Sequence, residues 1–220
     1  MGRDMGRVLA RRIRLPRAGL RTALGLWAII AFASTGSLAV THLYTLPRPD
    51  RAAPALVRAL AARVPASERG RVTVTHVLYA ECRCSQRILQ HLVSRGARHD
   101  VSESSLLVSP APALAQQLTA AGFRTTALTP AELKSQFAIE AAPLLIVADA
   151  TRHIRYLGGY TAQKQGLEIR DVAIIDRVLA GERASELPLF GCAVSRALQR
   201  IADPFGLQYS SRDESGRNEE

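Results

Sequence analysis

The chain has 220 residues, of which 47% are hydrophobic and 22% are charged, a balance that predicts a folded domain of ordinary size with short attachments and excludes a largely disordered chain. The net charge is +10, but residues 1–21 alone hold seven arginines against a single aspartate, Asp4. Because the rest of the charge forms no basic stripe, the sequence argues against nucleic-acid binding. It indicates a topology signal instead.

An apolar segment at residues 22–46 follows the basic segment of residues 1–21 and contains no Asp, Glu, Lys or Arg. About 20 such residues cross a bilayer as a helix, and arginines before the helix place the N-terminus in the cytoplasm. The small residues Ser37–Ala39 also fit the cleavage site of a signal peptide, but the apolar run is long for one and favours a retained anchor. In both cases the rest of the chain enters an exported compartment that permits disulfides.

The exported part divides into three predicted regions. Residues 47–70 form a Pro-rich linker and a juxtamembrane helix that begins at Pro54, interpreted as a spacer. Residues 71–209 form the folded domain and a C-terminal extension that contains a cysteine. Residues 210–220 form a polar, disordered tail.

The folded domain begins with a strand at residues 71–80, which is apolar on both faces toward its end and therefore central. A helix follows with Ser85 as its N-cap and Gly96 at its end. The later predictions are a strand in 97–108, a helix in 111–122, a strand in 123–129, a helix from Pro130, strands at Leu144–Ala148 and Ile154–Leu157, and a helix at 171–181. This order predicts an α/β fold with parallel strands and an antiparallel edge hairpin.

Cys82 and Cys84 lie one residue apart at the first strand-to-helix junction. Such a pair is a redox dithiol, two soft metal ligands or an accident of composition. Dithiol exchange needs one thiolate that attacks and a second thiol that resolves the mixed disulfide, and a helix N-terminus and the adjacent Arg83 both favour a thiolate. We interpret Cys82 as the exposed attacker and Cys84 as the resolving thiol. Their disulfide would close a tight, readily reduced ring, which predicts an oxidising or isomerising potential.

Two segments carry a resemblance to the thioredoxin-like superfamily over residues 72–182. "YAECRCSQRIL" (79–89) resembles the superfamily's active-site segment, and "FAIEAAPLLIVADATRHIRYLGGY" (137–160) resembles its cis-proline strand and hairpin. The inserted helix and strand are similar to TlpA-like, membrane-anchored periplasmic thioredoxins, and the C-x-C spacing is similar to that of RedB-like proteins.

The resemblance implies an α/β, thioredoxin-like fold with an N-terminal transmembrane helix, held as a single-pass protein in the bacterial inner membrane with its domain in the periplasm. It implies that Pro143 is cis beside the cysteines and that Ala142 presents its backbone to a substrate peptide. Protein thiols or disulfides would be the substrate, a membrane or periplasmic protein the electron donor, and no cofactor is required. Val77 stands where the family has a buried acid, and Glu81 or His76 is the candidate replacement.

The sequence is also compatible with two other functions. A Cu(I) chaperone, similar to Sco-type proteins, would use Cys82, Cys84 and His153 as copper ligands. A non-catalytic subunit of a membrane complex would keep the cysteines for structure alone. Cys192, expected near the start of a further helix, is either a third redox participant or a small buried hydrophobe.

Overall fold

The computed structural model describes residues 17–43, 45–203 and 209. The chain divides into two units, residues 1–44 and residues 45–220. Most of the predicted basic segment, residues 1–16, and the predicted polar tail at 210–220 lie outside the described residues.

The described residues of the first unit, 17–43, form one long helix, α1 (Arg17–Leu43). Among the described residues it is the only helix long and apolar enough to cross a membrane, over Gly19–Gly36. Its large apolar side chains are exposed within this unit, Trp27 by 69% and Phe32 by 84%. This length and composition fit a single-pass anchor and equally fit a signal sequence.

The second unit alternates helices and strands. Its helices are α2 (Pro54–Ala61), α3 (Arg83–Arg95), α4 (Pro112–Ala120), α5 (Pro130–Phe137), α6 (Asp171–Leu179) and α7 (Arg196–Ala202), with a short 3₁₀ turn at Ala66–Glu68. Its strands are β1 (Thr73–Tyr79), β2 (Ser102–Val108), β3 (Arg124–Leu128), β4 (Ala141–Ala142), β5 (Leu144–Ala148), β6 (Ile154–Gly158) and β7 (Cys192–Ala193).

Five of the strands form one central sheet in the order β3-β2-β1-β5-β6. Strands β1, β2 and β3 are parallel, because helices α3 and α4 carry the chain back between them, and β5 and β6 are added as an antiparallel hairpin. The predicted central position of β1 is confirmed. This mixed α/β arrangement is consistent with the predicted thioredoxin-like fold.

The sheet is covered on both faces, and alternate residues of β1 point to each face. Val74 and Leu78 pack with helices α3, α4 and α6 on one face. Val77 and Tyr79 pack on the other face with α2, α5 and the C-terminal segment. Burial on both faces explains why β1 reads as a nearly continuous apolar run.

Helix α2 belongs to the folded unit rather than to a spacer. Its Leu56 is fully buried and lies in the same apolar cluster as Phe137 of α5. Full burial of a leucine stabilises a fold by about 2 kcal/mol. The predicted linker of residues 47–70 is therefore too long, because the apolar face of this helix is part of the core.

Two further predictions about helix starts are wrong. Helix α3 begins at Arg83 with Cys82 at its N-cap, three residues before the predicted Ser85 cap. Helix α7 begins at Arg196, and Cys192 lies on strand β7 instead of at a helix start. The predicted end of α3 at Gly96 is confirmed, with a positive φ of 72° that suits glycine.

Candidate active site

Cys82 and Cys84 are placed by the sharp transition from β1 into α3. Cys82 is the N-cap residue of α3, and Cys84 lies in its first turn. Ser85 is buried, and its Oγ accepts a hydrogen bond of 3.0 Å from the N–H of Tyr79. This hydrogen bond ties the end of the strand to the first turn of the helix and fixes the position of both cysteines.

The accessibility of the two thiols is the reverse of the prediction. Cys82 has no exposed surface, whereas Cys84 is half-buried. Cys84 lines a pocket of about 290 Å³, together with Arg83, Pro143, Tyr160 and Phe190. The thiol that an incoming substrate reaches first is therefore Cys84, and Cys82 lies behind it.

The Ala142–Pro143 peptide bond is cis, as the resemblance implies. It places Pro143 in the wall of the same pocket as Cys84. The carbonyl oxygen of Ala142 lies 3.9 Å from the sulfur of Cys82, which donates to it when it is a thiol. The structure thus brings Cys82, Cys84 and Pro143 together.

Cys192 joins the site from the far end of the chain. Strand β7 pairs antiparallel with β4, and this pairing sets Cys192 opposite Ala142. The Cys192 side chain is buried and hydrogen-bonds to the sulfur of Cys82. All three cysteines are thiols in this structure, and Cys82 contacts both of the others.

The environment of Cys82 favours the thiolate. Hydrogen bonds from the Cys192 and Cys84 thiols lower the pKa of Cys82, and the N–H groups of Ser85 and Cys84 at the start of α3 lower it further, against the opposing effect of burial. The hydrogen bond with Cys82 and burial raise the pKa of Cys84, while Lys164 and Arg87 act to lower it. The negative charge therefore resides on Cys82, with Cys84 as a donor toward it.

Glu81 and Arg83 are the chain neighbours of Cys82, and both side chains are exposed. Glu81 is exposed and accepts a hydrogen bond of 2.8 Å from the Tyr79 hydroxyl. Arg83 is exposed at the mouth of the pocket. Arg83 thus adds positive charge near Cys84, and Glu81 holds a side chain of the preceding strand.

The structure does not bring His153 to the cysteines. His153 lies in the turn after β5, whereas Pro143 precedes β5, so the two are separated by a strand of five residues, or roughly 16 Å at about 3.3 Å per residue. Its side chain is 78% exposed and faces Asp149. Within residues 17–43 and 45–203, no three His, Cys, Asp or Glu side chains are arranged to hold a metal ion.

A buried acid is present, but on a residue that the sequence did not indicate. His76 of β1 is fully buried; its Nε2 contacts Glu103 of β2 at 2.7 Å and its Nδ1 contacts the Tyr160 hydroxyl at 2.9 Å. Glu103 also binds Arg95, which reaches on to Asp171. We call His76, Arg95, Glu103, Tyr160 and Asp171 the ionic network. The sequence offers no local signal for this network, because His76, Arg95 and Glu103 lie on three different elements, β1, α3 and β2.

The fold and the site define a mixed α/β protein in which three thiols meet beside a cis-proline. The chain belongs to the family described as a domain of unknown function, DUF6436, whose model matches residues 53–179. Cys82, Cys84 and Pro143 lie inside the matched region, and Cys192 lies beyond its end. No curated protein matches the chain.

Solved structures with some likeness to this chain include a hypothetical protein from Sinorhizobium meliloti 1021, with 15% identity and a TM-score of 0.45 over 58% of this chain and 80% of that one. An uncharacterized conserved protein from Geobacillus kaustophilus has 15% identity and a TM-score of 0.40 over 58% and 78%. A thioredoxin-like superfamily protein has 14% identity and a TM-score of 0.36 over 56% and 86%. At these scores the fold assignment rests on the strand order and pairing of the chain itself.

Proposed function

We propose that this protein is a thiol–disulfide oxidoreductase, held in the bacterial inner membrane by its N-terminal helix, with its domain in the periplasm. The observation that carries the proposal is an accessible cysteine in a pocket, Cys84, with a buried thiolate, Cys82, directly behind it at a helix N-terminus. Exchange needs one thiol that substrate can reach and a second that can attack the mixed disulfide. The two cysteines meet both requirements, with roles opposite to those predicted from the sequence.

The exchange has two steps. Cys84 attacks a substrate disulfide as its thiol proton passes to Cys82, its hydrogen-bond partner, so that one substrate sulfur leaves as a thiolate and the other is bonded to Cys84. Cys82 gives this proton to the departing substrate thiolate and then attacks the sulfur of Cys84 as a thiolate, which releases the second substrate thiolate and leaves a Cys82–Cys84 disulfide. The substrate gains two electrons and the protein loses two, and the reverse steps oxidise a substrate dithiol.

The walls of the pocket suggest how a substrate is held. Pro143, Tyr160 and Phe190 supply apolar surface beside Cys84. Arg83, Arg87 and Lys164 supply positive charge near the same sulfur. This combination favours a protein or peptide disulfide with acidic residues near its cysteine. A membrane or periplasmic thiol protein would restore the starting redox state.

The assignment of roles is tested by trapping the mixed disulfide with glutathione disulfide as the probe. In Cys82→Ser the second step is lost, so we expect glutathione to remain bonded to Cys84. In the matched variant, Cys84→Ser, we expect no stable adduct, because Cys82 is buried. Intact mass and tryptic mapping separate the two cysteines, since trypsin cleaves after Arg83.

The same experiment has two outcomes that would contradict the proposal. An adduct on Cys82 in Cys84→Ser would contradict the assigned roles. Thiols that stay unmodified in both variants and in the wild type would contradict exchange altogether and would favour a non-catalytic subunit.

A further inference from the structure

The C-terminal segment, residues 185–195, lies across the cis-proline loop in a fixed register. Ala193 pairs with Ala141 and Cys192 with Ala142. The Val194 N–H donates to the carbonyl of Glu140 at 2.7 Å, and the Leu46 N–H donates to the carbonyl of Leu189 at 2.9 Å. These backbone hydrogen bonds hold Cys192 at one position beside the cysteine pair.

Gly191 allows the segment to approach this closely. A Cβ atom at this position would lie 2.0 Å from the carbonyl oxygen of Ala142 and 2.7 Å from Cδ of Pro143. Any side chain would therefore push the segment, and with it Cys192, away from the loop. The glycine that precedes Cys192 is what lets its sulfur reach Cys82.

The three sulfurs are arranged with Cys82 in the middle. Cys82 contacts Cys84 on its own helix and Cys192 on β7. Both Cys82 and Cys192 are buried, whereas Cys84 faces the pocket. A disulfide that forms between Cys84 and Cys82 therefore has a second thiol already in contact with its inner sulfur.

We propose that Cys192 is the third exchange residue and that the stable oxidised form of the protein carries a Cys82–Cys192 disulfide. The step rests on the proposed function. After the Cys82–Cys84 disulfide has formed, the Cys192 thiolate attacks the sulfur of Cys82, a new S–S bond forms between these two, and Cys84 leaves as a thiolate. No electrons enter or leave in this step. Over the whole sequence Cys82 and Cys192 lose two electrons to the substrate disulfide. One released substrate sulfur takes the proton that Cys84 gave up, Cys192 gives its proton to Cys84, and the second substrate sulfur leaves with the negative charge that Cys82 carried.

The direction of this transfer follows from ring size. A disulfide across one intervening residue closes a tight ring that stores strain, and strained disulfides are the more easily opened. Cys192 comes from a separate strand, so a bond to it closes no tight ring. The transfer stores the oxidation inside the protein and returns Cys84 to the pocket as a thiol.

The linkage is mapped in the full chain after oxidation with glutathione disulfide, acid quenching, alkylation with N-ethylmaleimide and digestion with trypsin. Cleavage after Arg83 places Cys82 in peptide 72–83, Cys84 in peptide 84–87 and Cys192 in peptide 184–196. We expect peptide 72–83 linked to 184–196, with the alkyl group on 84–87. In the matched variant Cys192→Ser we expect 72–83 linked to 84–87.

Each other outcome overturns the inference in a distinguishable way. Wild-type peptide 72–83 linked mainly to 84–87, with Cys192 alkylated, would contradict the role of Cys192 and leave the proposed function intact. A linkage between 84–87 and 184–196 would also contradict it. Alkylation of all three cysteines after oxidation would contradict the proposed function as well.

Discussion

Two buried polar clusters lie on opposite faces of the same strand, β1, and they differ in how well their groups are satisfied. The ionic network around His76 pairs each charge with an opposite charge, and within residues 45–203 none of its buried polar side-chain atoms lacks a hydrogen-bond partner. On the other face, Cys82, Cys84 and Cys192 form a second cluster, which we call the thiol cluster. It is held by weak sulfur hydrogen bonds and opens to a pocket through Cys84. The comparison indicates that the first cluster stabilises the fold and the second carries the chemistry.

The largest expected effect is on stability, through the ionic network. Glu103→Gln removes a charge that is buried with Arg95 and His76, and breaking a buried pair costs about 3 kcal/mol. We expect Tm to fall by about 10 °C, while the trapping of glutathione on Cys84 in the Cys82→Ser background is unchanged. The exposed control Glu182→Gln should shift stability by less than about 0.5 kcal/mol.

Acid provides a second test of the same carboxylate. Burial opposes its charged form, but hydrogen bonds from His76 and Arg95 prevail and lower the pKa of Glu103 from 4.5 to about 2. A lowered folded pKa contributes stability above the unfolded value that is lost as pH falls from about 4.5 toward 2. We expect the wild type to lose about 3 kcal/mol over this window and Glu103→Gln to lose much less. Parallel acid unfolding curves for the two proteins would contradict the role of the network.

The next effect in size concerns the glycine at the cis-proline loop. Gly191→Ala places a methyl group against the Ala142 carbonyl, and such overpacking costs about 2 kcal/mol. We expect it to displace Cys192 and to weaken the Cys82–Cys192 linkage in tryptic maps. Gly36→Ala is the matched control, because a Cβ there meets nothing within 4 Å. A Gly191→Ala protein with the full linkage would contradict the close-approach argument.

A smaller effect is expected on the ionisation of the thiol cluster. Because the Cys192 hydrogen bond is the main cause of the lowered Cys82 pKa, ultraviolet thiolate absorption should persist well below the ordinary midpoint of about 8.5. In Cys192→Ser the midpoint should rise, since a serine hydroxyl is placed less well for the larger sulfur anion. The same midpoint near 8.5 in both proteins would show that the cluster does not stabilise a thiolate.

The smallest expected effect is on substrate charge. Arg83→Glu reverses one charge at the mouth of the pocket. The rate of exchange with anionic glutathione disulfide should fall about three- to tenfold at low salt, and the difference should shrink as salt increases. Arg177→Glu, an exposed residue of α6 that does not line this pocket, is the matched control. Equal rates for the two variants would show that the charge of Arg83 does not influence the choice of substrate.

The sequence predicted the parts of the fold and site that depend on local pattern. The apolar run of β1, the helix that ends at Gly96 and the hairpin after Pro143 all carry short-range signals, and together they placed Cys82, Cys84 and Pro143 at one end of the sheet. The order of strands followed from alternation with helices. The cis bond before Pro143 came from the resemblance and is confirmed.

The remaining features depend on contacts between distant segments. The pairing of β4 with β7 involves two residues from each strand. Strands of this length are too short to produce a periodic pattern in the sequence. The exposure of Cys84 rather than Cys82 follows from a helix that begins three residues earlier than a Ser85 cap predicts. Within the predicted strand at 97–108 nothing marks Glu103 as buried, because Arg95 and His76, which contact it, come from other elements.

The most direct test of the central claim is a redox titration of the full chain, followed by intact mass in glutathione buffers of defined potential. Because hydrogen bonds stabilise the Cys82 thiolate and so favour the reduced form, we predict a reversible loss of two hydrogens with a midpoint above the value of about −270 mV typical of thioredoxin, abolished in Cys82→Ser. A midpoint at or below that value would contradict the predicted oxidising potential. A mass that never changes would contradict thiol–disulfide exchange itself.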